Sequence, residues 1–411
     1  MTAGDGGSLS VLRRRDFRLL FLGQGISVLG DRMVVVALAF AVIELGGSAS
    51  DVGLVLAAGT VTLVATLLAG GVVADRTSRR AVMLVADLVR VASQAAMAVL
   101  VISGAGEVWM IGALAGVTGA GTGFFGPAST GLLPEIVSDE ELQPANALRS
   151  TAVSASEILG PALAGILVAA AGAGWAIAVD AATFGASAVC LALLRPPARE
   201  AREPSSFLID LREGWAAFSS RRWVWAFVLY FAVANLAWAA WQALGPVVAH
   251  RDLGGAAVWG SILAAMGAGA LLGSLLATRV RVGQPLLFVA VMEALFGLPI
   301  VFLAAATSPV LIGIGTFLSG VGMMLGMSVW ESTLQLHIPR ESLSRVSSYD
   351  WFGSFAVVPL GLALWGGLAD TVGVQTLLWI ASGLFATCVL ALLALPDIWR
   401  FRSRETTTSV T

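Results

Sequence analysis

Seven charged side chains interrupt apolar stretches of this sequence. If those stretches cross a lipid bilayer, a charge near the bilayer centre costs about 3 kcal/mol on insertion scales, so each one needs a structural or chemical reason. A carboxylate there can pair with a cation, or it can take up and release a proton as the local water changes. The seven residues are Asp31, Arg32, Asp87, Arg90, Glu157, Asp180 and Glu293.

Asp31 is the main candidate for carrying a proton. It lies about 14 residues into the first apolar segment, which is roughly 20 Å from the N-terminal end of that segment at 1.5 Å per residue. This depth is near or just past the bilayer midplane. We therefore predict that Asp31 is the main protonation site, and the alternative is a structural ion pair with Arg32 or with another helix.

The other charges have plainer alternatives. Asp87 and Arg90 are three residues apart, so on a helix they share a face and form a buried ion pair that at the least lets the segment insert. Glu157 lies one turn before Gly160 and Pro161, and the proline removes a backbone donor and can kink a helix. Glu157 is a second proton-coupling candidate and is alternatively placed to meet a cationic substrate.

Asp180 and Glu293 are weaker candidates, for which helix capping or bonding between helices is the alternative.

The elements that carry these residues are apolar runs of membrane-spanning length. Of the 411 residues, 57% are hydrophobic and 12% are charged, whereas an ordinary soluble domain carries about 25% charged residues. The runs lack the alternation of barrel strands, so helices are the remaining way to satisfy the backbone in lipid. Twelve segments are predicted, at about 17–45, 52–74, 81–103, 107–130, 146–170, 174–194, 223–249, 256–278, 284–306, 308–330, 346–369 and 374–395.

The distribution of arginine predicts the topology. Arginines cluster before the first segment, after the second and after the sixth, and in the C-terminal tail, whereas the odd-numbered loops are short and almost free of them. By the positive-inside rule, both termini are cytoplasmic and the number of spans is even. We therefore expect a multi-pass protein of the cell membrane.

The two halves of the chain repeat one another. Ala128-Ser129-Thr130 and Leu133-Pro134 in the first half correspond to Glu331-Ser332-Thr333 and Ile338-Pro339 in the second, at an offset of about 200 residues. Such parallel repeats are a transporter architecture, so the fold class predicted is an all-α membrane protein with two six-helix bundles related by pseudo-twofold symmetry. The predicted parts are an N-terminal bundle (1–194), a cytoplasmic central loop (195–222), a C-terminal bundle (223–395) and a cytoplasmic tail (396–411).

Two motifs resemble those of the major facilitator superfamily. Gly71-Val-Val-Ala-Asp75-Arg76-Thr-Ser-Arg79-Arg80 resembles its cytoplasmic G-x-x-x-D-R-x-x-R-R signature, and Gly160-Pro161-Ala-Leu-Ala-Gly165 resembles the Gly-Pro motif of its exporters. The phrases around Leu133-Pro134 and Ile338-Pro339 resemble more narrowly the drug:proton antiporter branch that holds macrolide exporters and the enterobactin exporter. The fourth segment departs from other exporter branches, because it lacks the arginine linked there to proton coupling.

The resemblance implies roles for these residues. Gly71, Asp75, Arg76, Arg79 and Arg80 would form a cytoplasmic gate, with simple anchoring of the arginines as the alternative. Asp87 and Arg90 would stabilise that gate, and the Gly-Pro motif would seal or bend the outward-open state.

Together these features predict a secondary exporter of small amphiphilic compounds, working by proton antiport and alternating access. Trp238 and Trp241 lie deep enough in the seventh segment to stack on a flat or apolar substrate. Import of a metabolite is the alternative, and a receptor without transport is a remote one. We expect a monomer in the lipid bilayer with protons as partner, and no enzyme activity, nucleic-acid partner, metal or cofactor; no ATP-binding loop of the G-x-x-x-x-G-K-[ST] type is present in the sequence.

Overall fold

The computed structural model describes residues 10–195, 215, 218–280 and 282–402, and their side chains except those at 68, 75, 139–140, 340–345 and 348. Within these residues all regular structure is helical, and twelve spans are long and apolar enough to cross a membrane. The prediction of an all-α membrane protein with twelve spans is therefore confirmed. The central loop predicted at 195–222 lies mostly outside the described residues.

A short 3₁₀ turn at Ser10–Arg13 precedes the first helix. The helices of the first half are α1 (Arg15–Glu44), α2 (Ala49–Arg76), α3 (Arg79–Ser103), α4 (Val108–Ile136), α5 (Asp139–Ala171) and α6 (Ala173–Leu193). Those of the second half are α7 (Arg222–Val248), α8 (Ala256–Ala277), α9 (Pro285–Phe296), α10 (Leu298–Ala304), α11 (Pro309–His337), α12 (Arg340–Phe355), α13 (Val358–Val372), α14 (Val374–Leu393) and the short α15 (Pro396–Arg400).

Three helices extend well beyond the apolar runs that predicted them. α4 continues through Pro134 to Ile136, α5 begins at Asp139 rather than near residue 146, and α11 continues to His337. Apolar patterning marks only the part of a helix that crosses hydrocarbon, and a helix satisfies its own backbone equally well in the polar headgroup region. The predicted helices were therefore too short at the ends where the additional turns are polar.

Two predicted segments are each broken into two helices. α9 and α10 meet at Gly297, two residues before Pro299, and α12 and α13 meet just before Pro359. A proline cannot donate to the carbonyl four residues earlier, and its ring clashes with that carbonyl. The ninth and eleventh spans are consequently interrupted rather than continuous.

Cα proximity groups the chain into two compact units, residues 1–203 with 246–264 (unit 1) and residues 204–245 with 265–411 (unit 2). In unit 1, α2 packs against α4, while α1 and α3 both pack against α6. Hydroxyl groups hold α2 to α4, because Thr62 donates to the Gly116 carbonyl (2.7 Å) and Thr66 to the Ala120 carbonyl (3.2 Å). Glycines along α4 permit this approach, as small residues do in membrane helix pairs.

In unit 2, α9 and α10 pack against α11, and α10, α13 and α14 form a neighbouring layer. The indole of Trp365 on α13 donates to the Leu236 carbonyl of α7 at 2.6 Å, which closes this layer against α7. Large apolar side chains cover the outer faces of the helices of both units. Examples are Leu54, Val99, Ile166, Leu229, Leu360 and Leu390. Such continuous exposed apolar surface is typical of a lipid-facing protein.

Candidate functional site

Four charged side chains from three helices meet inside unit 1. Arg90 of α3 is 1% exposed and forms an ion pair with Asp87, one turn earlier on the same helix. Asp31 of α1 approaches the same guanidinium, with 3.9 Å between its Oδ2 atom and Arg90 Nη1. Asp180 of α6 is fully buried and accepts a hydrogen bond from Gln94 of α3 at 2.9 Å. We call Asp31, Asp87, Arg90 and Asp180 the Arg90 cluster.

Aromatic rings hold the guanidinium in place. The Arg90 carbon Cζ lies 4.2 Å from the centre of the Phe125 ring and 4.1 Å from that of the Phe184 ring. Gly121 of α4 leaves room for the arginine stem, since a Cβ there would lie 2.9 Å from Arg90 Cγ. Cation–π contacts of this kind are strongest in desolvated sites, so Arg90 is fixed as the centre of the cluster.

The cluster holds more carboxylates than cations. Three carboxylates surround one guanidinium, and leaving an unpaired charge in a buried site is costly, so a proton is the available means of neutralising the excess. Asp87 and Asp180 are fully buried, whereas 40% of the Asp31 side chain is exposed. Asp31 is therefore the member of the cluster that water can reach most directly.

The ion-pair alternative for Asp31 named Arg32 or another helix as partner, and the contact observed is with Arg90 of another helix. Arg32 does not pair with Asp31. Its guanidinium forms an ion pair with Glu157 of α5 at 3.1 Å. Adjacent helix residues project about 100° apart, so Asp31 and Arg32 face different neighbours. Glu157 consequently binds a cation of the protein itself, which ties α1 to α5.

The Gly-Pro motif lies at two close helix contacts. A Cβ on Gly160 would lie 3.2 Å from the Leu29 carbonyl oxygen of α1. A Cβ on Gly165 would lie 2.6 Å from the Ala256 carbonyl oxygen of α8. Pro161 lies between them, and α5 nevertheless continues without a break to Ala171. The motif therefore lets α5 approach one helix on each side.

The segment from Gly71 to Arg80 is mostly helical, not the loop that the sequence was read as. Gly71, Asp75 and Arg76 belong to the last turns of α2, and Arg79 and Arg80 begin α3. Only two residues separate the helices, and the second of them caps α3 with its hydroxyl group. The Asp75 side chain lies outside the described residues, and a Cβ on Gly71 would meet nothing within 4 Å.

Two of the three arginines of this segment, Arg79 and Arg80, bind the ends of other helices of unit 1. Arg79 donates to the Gly131 carbonyl of α4 at 2.5 Å and pairs with Glu135 at 3.1 Å. Arg80 donates to the carbonyls of Leu191 (2.7 Å) and Ala192 (2.6 Å) at the C-terminus of α6. Those carbonyls belong to the last turn of α6, at the negative end of its dipole, and the Leu191 carbonyl also accepts from the Leu194 amide at 3.2 Å. The arginines therefore fasten α3 to α4 and α6.

A cavity of about 310 Å³ lies inside unit 2. Six aromatic side chains, three methionines and three carboxylates dominate its wall. These are Phe231, Trp238, Phe296, Trp330, Trp351, Phe355, Met266, Met323, Met327, Glu293, Glu331 and Asp350. Trp238 thus lines the cavity, stacked on Phe296 at 4.3 Å between ring centres. Trp241 does not line this cavity and instead packs behind Trp238 at 5.6 Å.

Two of the cavity's carboxylates were missed by sequence reasoning. Glu331 lies one residue past the predicted tenth segment, which ends near residue 330, and Asp350 lies within the predicted eleventh segment at 346–369. Both residues lie on helices, α11 (Pro309–His337) and α12 (Arg340–Phe355), and both line the cavity. The available signal was the same as for the other charges, a carboxylate within or next to an apolar run.

Within the described residues, no three side chains of the His, Cys, Asp or Glu type are grouped so that they could hold a metal ion.

The chain was compared with known proteins. It is 24% identical to macrolide efflux protein A of Streptococcus pyogenes, over 91% of this chain and 94% of that protein. It is 29% identical to the enterobactin exporter EntS of an avian pathogenic strain of Escherichia coli (O1:K1), over 96% of this chain and 95% of that protein. A crystal structure of the nucleoside transporter NupG superposes with a TM-score of 0.72 at 12% identity, over 94% of this chain and 99% of that one.

The likeness to NupG shows the major facilitator fold alone. The family description "transmembrane secretion effector" matches residues 6–407, which is nearly the whole chain. The resemblance to the exporters of the major facilitator superfamily is confirmed. The chain is therefore a multi-pass membrane transporter that belongs to the transmembrane secretion effector family of that superfamily.

Proposed function

We propose that the protein exports small amphiphilic compounds across the cell membrane in exchange for protons. The observation that supports the proton part is the Arg90 cluster, in which Asp31 and Asp87 both lie within 4 Å of one buried guanidinium and a third buried carboxylate, Asp180, is held by Gln94 of the same helix as Arg90. The export part is supported by the two relatives, one named for macrolide efflux and the other for enterobactin export. Since the sequence contains no ATP-binding loop, the proposed driving force is an ion gradient, and the substrate's own gradient is the alternative.

Asp31 is the proposed proton carrier. In one state its carboxylate is ionised beside Arg90, and in the other it is protonated and the guanidinium is left to Asp87. Binding of a proton from one side of the membrane raises the net charge of the cluster by one unit. Release of that proton to the other side lowers the charge again. Because α1, α3 and α6 all contribute to the cluster, that change alters how tightly these three helices are held together.

The proposed orientation places both termini in the cytoplasm. It rests on the arginines at the end of unit 1 where Arg79 and Arg80 bind α4 and α6. In that orientation these contacts stabilise the cytoplasmic side of the unit, which fits a gate. The monomer, with its four predicted parts at 1–194, 195–222, 223–395 and 396–411, is the proposed working form.

The test uses the purified full chain in proteoliposomes with an imposed pH gradient. Three fluorescent amphiphiles of different charge serve as probes, namely ethidium, Nile red and 8-anilinonaphthalene-1-sulfonate. We expect at least one probe to move uphill only when the gradient is present. Asp31→Asn should abolish the uphill movement and leave downhill equilibration intact, because the substituted amide cannot bind and release the proton.

The control variant is Asp252→Asn, which removes an exposed carboxylate at the end of α7 and should keep uphill movement. Retention of full uphill movement by Asp31→Asn would refute the role of Asp31. Movement of metabolites such as sugars or nucleosides in place of all three probes would instead favour import.

A further inference from the structure

We propose that the cavity of unit 2 is the binding site for the cargo and selects a small, flat aromatic compound with a positive charge. This inference rests on the proposed function and names the class of substrate that the site would take. Four features of the cavity carry it: its carboxylates, an unsatisfied oxygen atom, its aromatic wall and its lack of a balancing cation.

The carboxylates lie on three different helices around one space. Glu293 of α9 is 8% exposed and accepts a hydrogen bond from the Tyr230 hydroxyl at 3.4 Å. Asp350 of α12 is 7% exposed and accepts from the Trp330 indole at 3.0 Å. Glu331, beside Trp330 on α11, is the exposed member of the three. Two nearly buried carboxylates and a third at the rim therefore surround the cavity.

One oxygen atom of this group lacks a partner. Asp350 uses its Oδ2 atom for the Trp330 indole, and its buried Oδ1 atom has no hydrogen-bond partner within the described part of the chain. Buried polar atoms are almost always satisfied, so each exception calls for an explanation. A bound cation is the occupant that would compensate this carboxylate oxygen most strongly, because the attraction between opposite charges is much larger in a buried site than in water.

The aromatic wall suits the same ligand. Trp238 stacks on Phe296, and Trp351 stacks on Phe355, with ring centres 4.3 Å and 5.0 Å apart, so two pairs of aromatic rings form part of the wall. Aromatic faces attract cations as well as flat apolar rings, and the attraction grows when water is excluded. The methionines of the wall adapt to ligands of different outline, as they do at promiscuous binding surfaces.

Charge balance excludes an anionic ligand. None of the described residues that line the cavity is arginine, lysine or histidine. An anion would therefore meet three carboxylates and no cation, whereas a cation would neutralise one of them.

The experiment measures equilibrium binding to the full chain in lipid nanodiscs. 10-Methylacridinium is the cationic probe, and acridone is a neutral probe with the same three-ring frame. Quenching of probe fluorescence by tryptophan reports binding, and empty nanodiscs give the partition into lipid. We expect the wild-type protein to bind the cation about tenfold or more tightly than acridone, in line with the strength of a desolvated cation–π and charge contact.

The variants Glu293→Gln and Asp350→Asn keep the size and the acceptor oxygen of each side chain and remove its charge. Each should weaken binding of 10-methylacridinium by about tenfold and leave acridone binding within about twofold, which also shows that the variant is folded. Asp252→Asn removes an exposed carboxylate outside the cavity and should change neither affinity. Equal wild-type affinity for both probes, or unchanged cation binding in both cavity variants, would overturn the proposal.

The same samples separate this inference from the proposed function. If proton exchange through Asp31 is wrong, Asp31→Asn will transport as the wild type does, while the cation preference of unit 2 persists. If the cavity of unit 2 does not select cations, the wild-type protein will bind 10-methylacridinium and acridone equally well. Proton-driven movement of a neutral or anionic probe can still be seen in that case.

Discussion

Removing the central cation of the Arg90 cluster should be among the most damaging single changes in unit 1. Arg90→Met keeps a long, flexible side chain of apolar character and removes the guanidinium. Asp87, which is fully buried, would then lose its ion-pair partner, and the two rings that flank the guanidinium would lose their cation. The protein must either keep an uncompensated charge in its interior or bind an additional proton.

The magnitude follows from this geometry. Breaking a buried ion pair by removing one partner costs about 3–5 kcal/mol, because the remaining charge is left unpaired. Each 1.4 kcal/mol is a factor of ten, so the unfolding equilibrium constant should rise by about 150-fold to 4000-fold. An exposed pair gives the contrast, since Arg251 and Asp252 are 58% and 46% exposed and such pairs contribute about 1 kcal/mol or less.

The assay is reversible unfolding of the full chain in mixed detergent micelles, followed by tryptophan fluorescence and circular dichroism. Four proteins complete a double-mutant cycle: wild type, Arg90→Met, Asp87→Asn and the variant with both changes. The double variant has no orphaned charge at this position, so it should be more stable than Arg90→Met by about 2 kcal/mol. Arg251→Met is the matched control at the exposed pair.

Two results would refute the reasoning. One is a stability loss for Arg90→Met no larger than that for Arg251→Met. The other is strict additivity of the two substitutions in the cycle, because independent residues show no coupling energy. Either result would mean that the buried pair does not hold α3 in place, and the cluster would lose its structural basis.

Two further predictions follow from contacts of unit 1. Gly165→Ala should lower the thermal unfolding temperature in detergent, because the new Cβ would lie 2.6 Å from the backbone oxygen of Ala256. The control Gly71→Ala should not lower that temperature, because a Cβ there would meet nothing within 4 Å. Equal effects of the two substitutions would contradict this account. Arg80→Gln should raise the rate of amide hydrogen exchange at the C-terminal end of α6, because the guanidinium no longer donates to the Leu191 and Ala192 carbonyls. A hydrogen bond from a charged donor contributes about 1.5–3 kcal/mol. An unchanged exchange rate there would show that Arg80 does not stabilise the end of α6.

The number and class of the helices were predictable because lipid leaves the backbone few choices. Apolar runs of spanning length must be helical, and each of the twelve predicted runs corresponds to a described span. The ends of α4, α5 and α11 were not predictable in the same way, since outside hydrocarbon a polar helix and a polar loop have similar composition. The breaks near Pro299 and Pro359 had a sequence signal in the prolines themselves.

The charged sites were predictable by residue but not by partner. Helical spacing along one element was enough to place Asp87 beside Arg90. It was not enough to decide between Arg32 and Arg90 as the neighbour of Asp31, because that choice depends on the rotation of α1 against α3 and α5. Asp350 lay inside the predicted eleventh segment, but only four residues from its predicted start, where a carboxylate is expected near the headgroups rather than beside a cavity.

The repeat adds an argument about the division of labour between the units. Arg149 lies ten residues after the first residue of α5, and Asp350 lies ten residues after the first residue of α12. In unit 1 the arginine donates to the Ser129 hydroxyl at 3.1 Å, which also accepts from Gln24 at 2.6 Å. In unit 2 the aspartate accepts from the Trp330 indole and faces the cavity.

Similar positions along α5 and α12 thus carry opposite charges. A carboxylate at this position makes the cavity of unit 2 favourable for a cation, whereas a guanidinium makes the corresponding part of unit 1 unfavourable for one. The exchange Asp350→Arg should therefore remove 10-methylacridinium binding more completely than Asp350→Asn, and equal effects of the two changes would mean that charge does not decide selection.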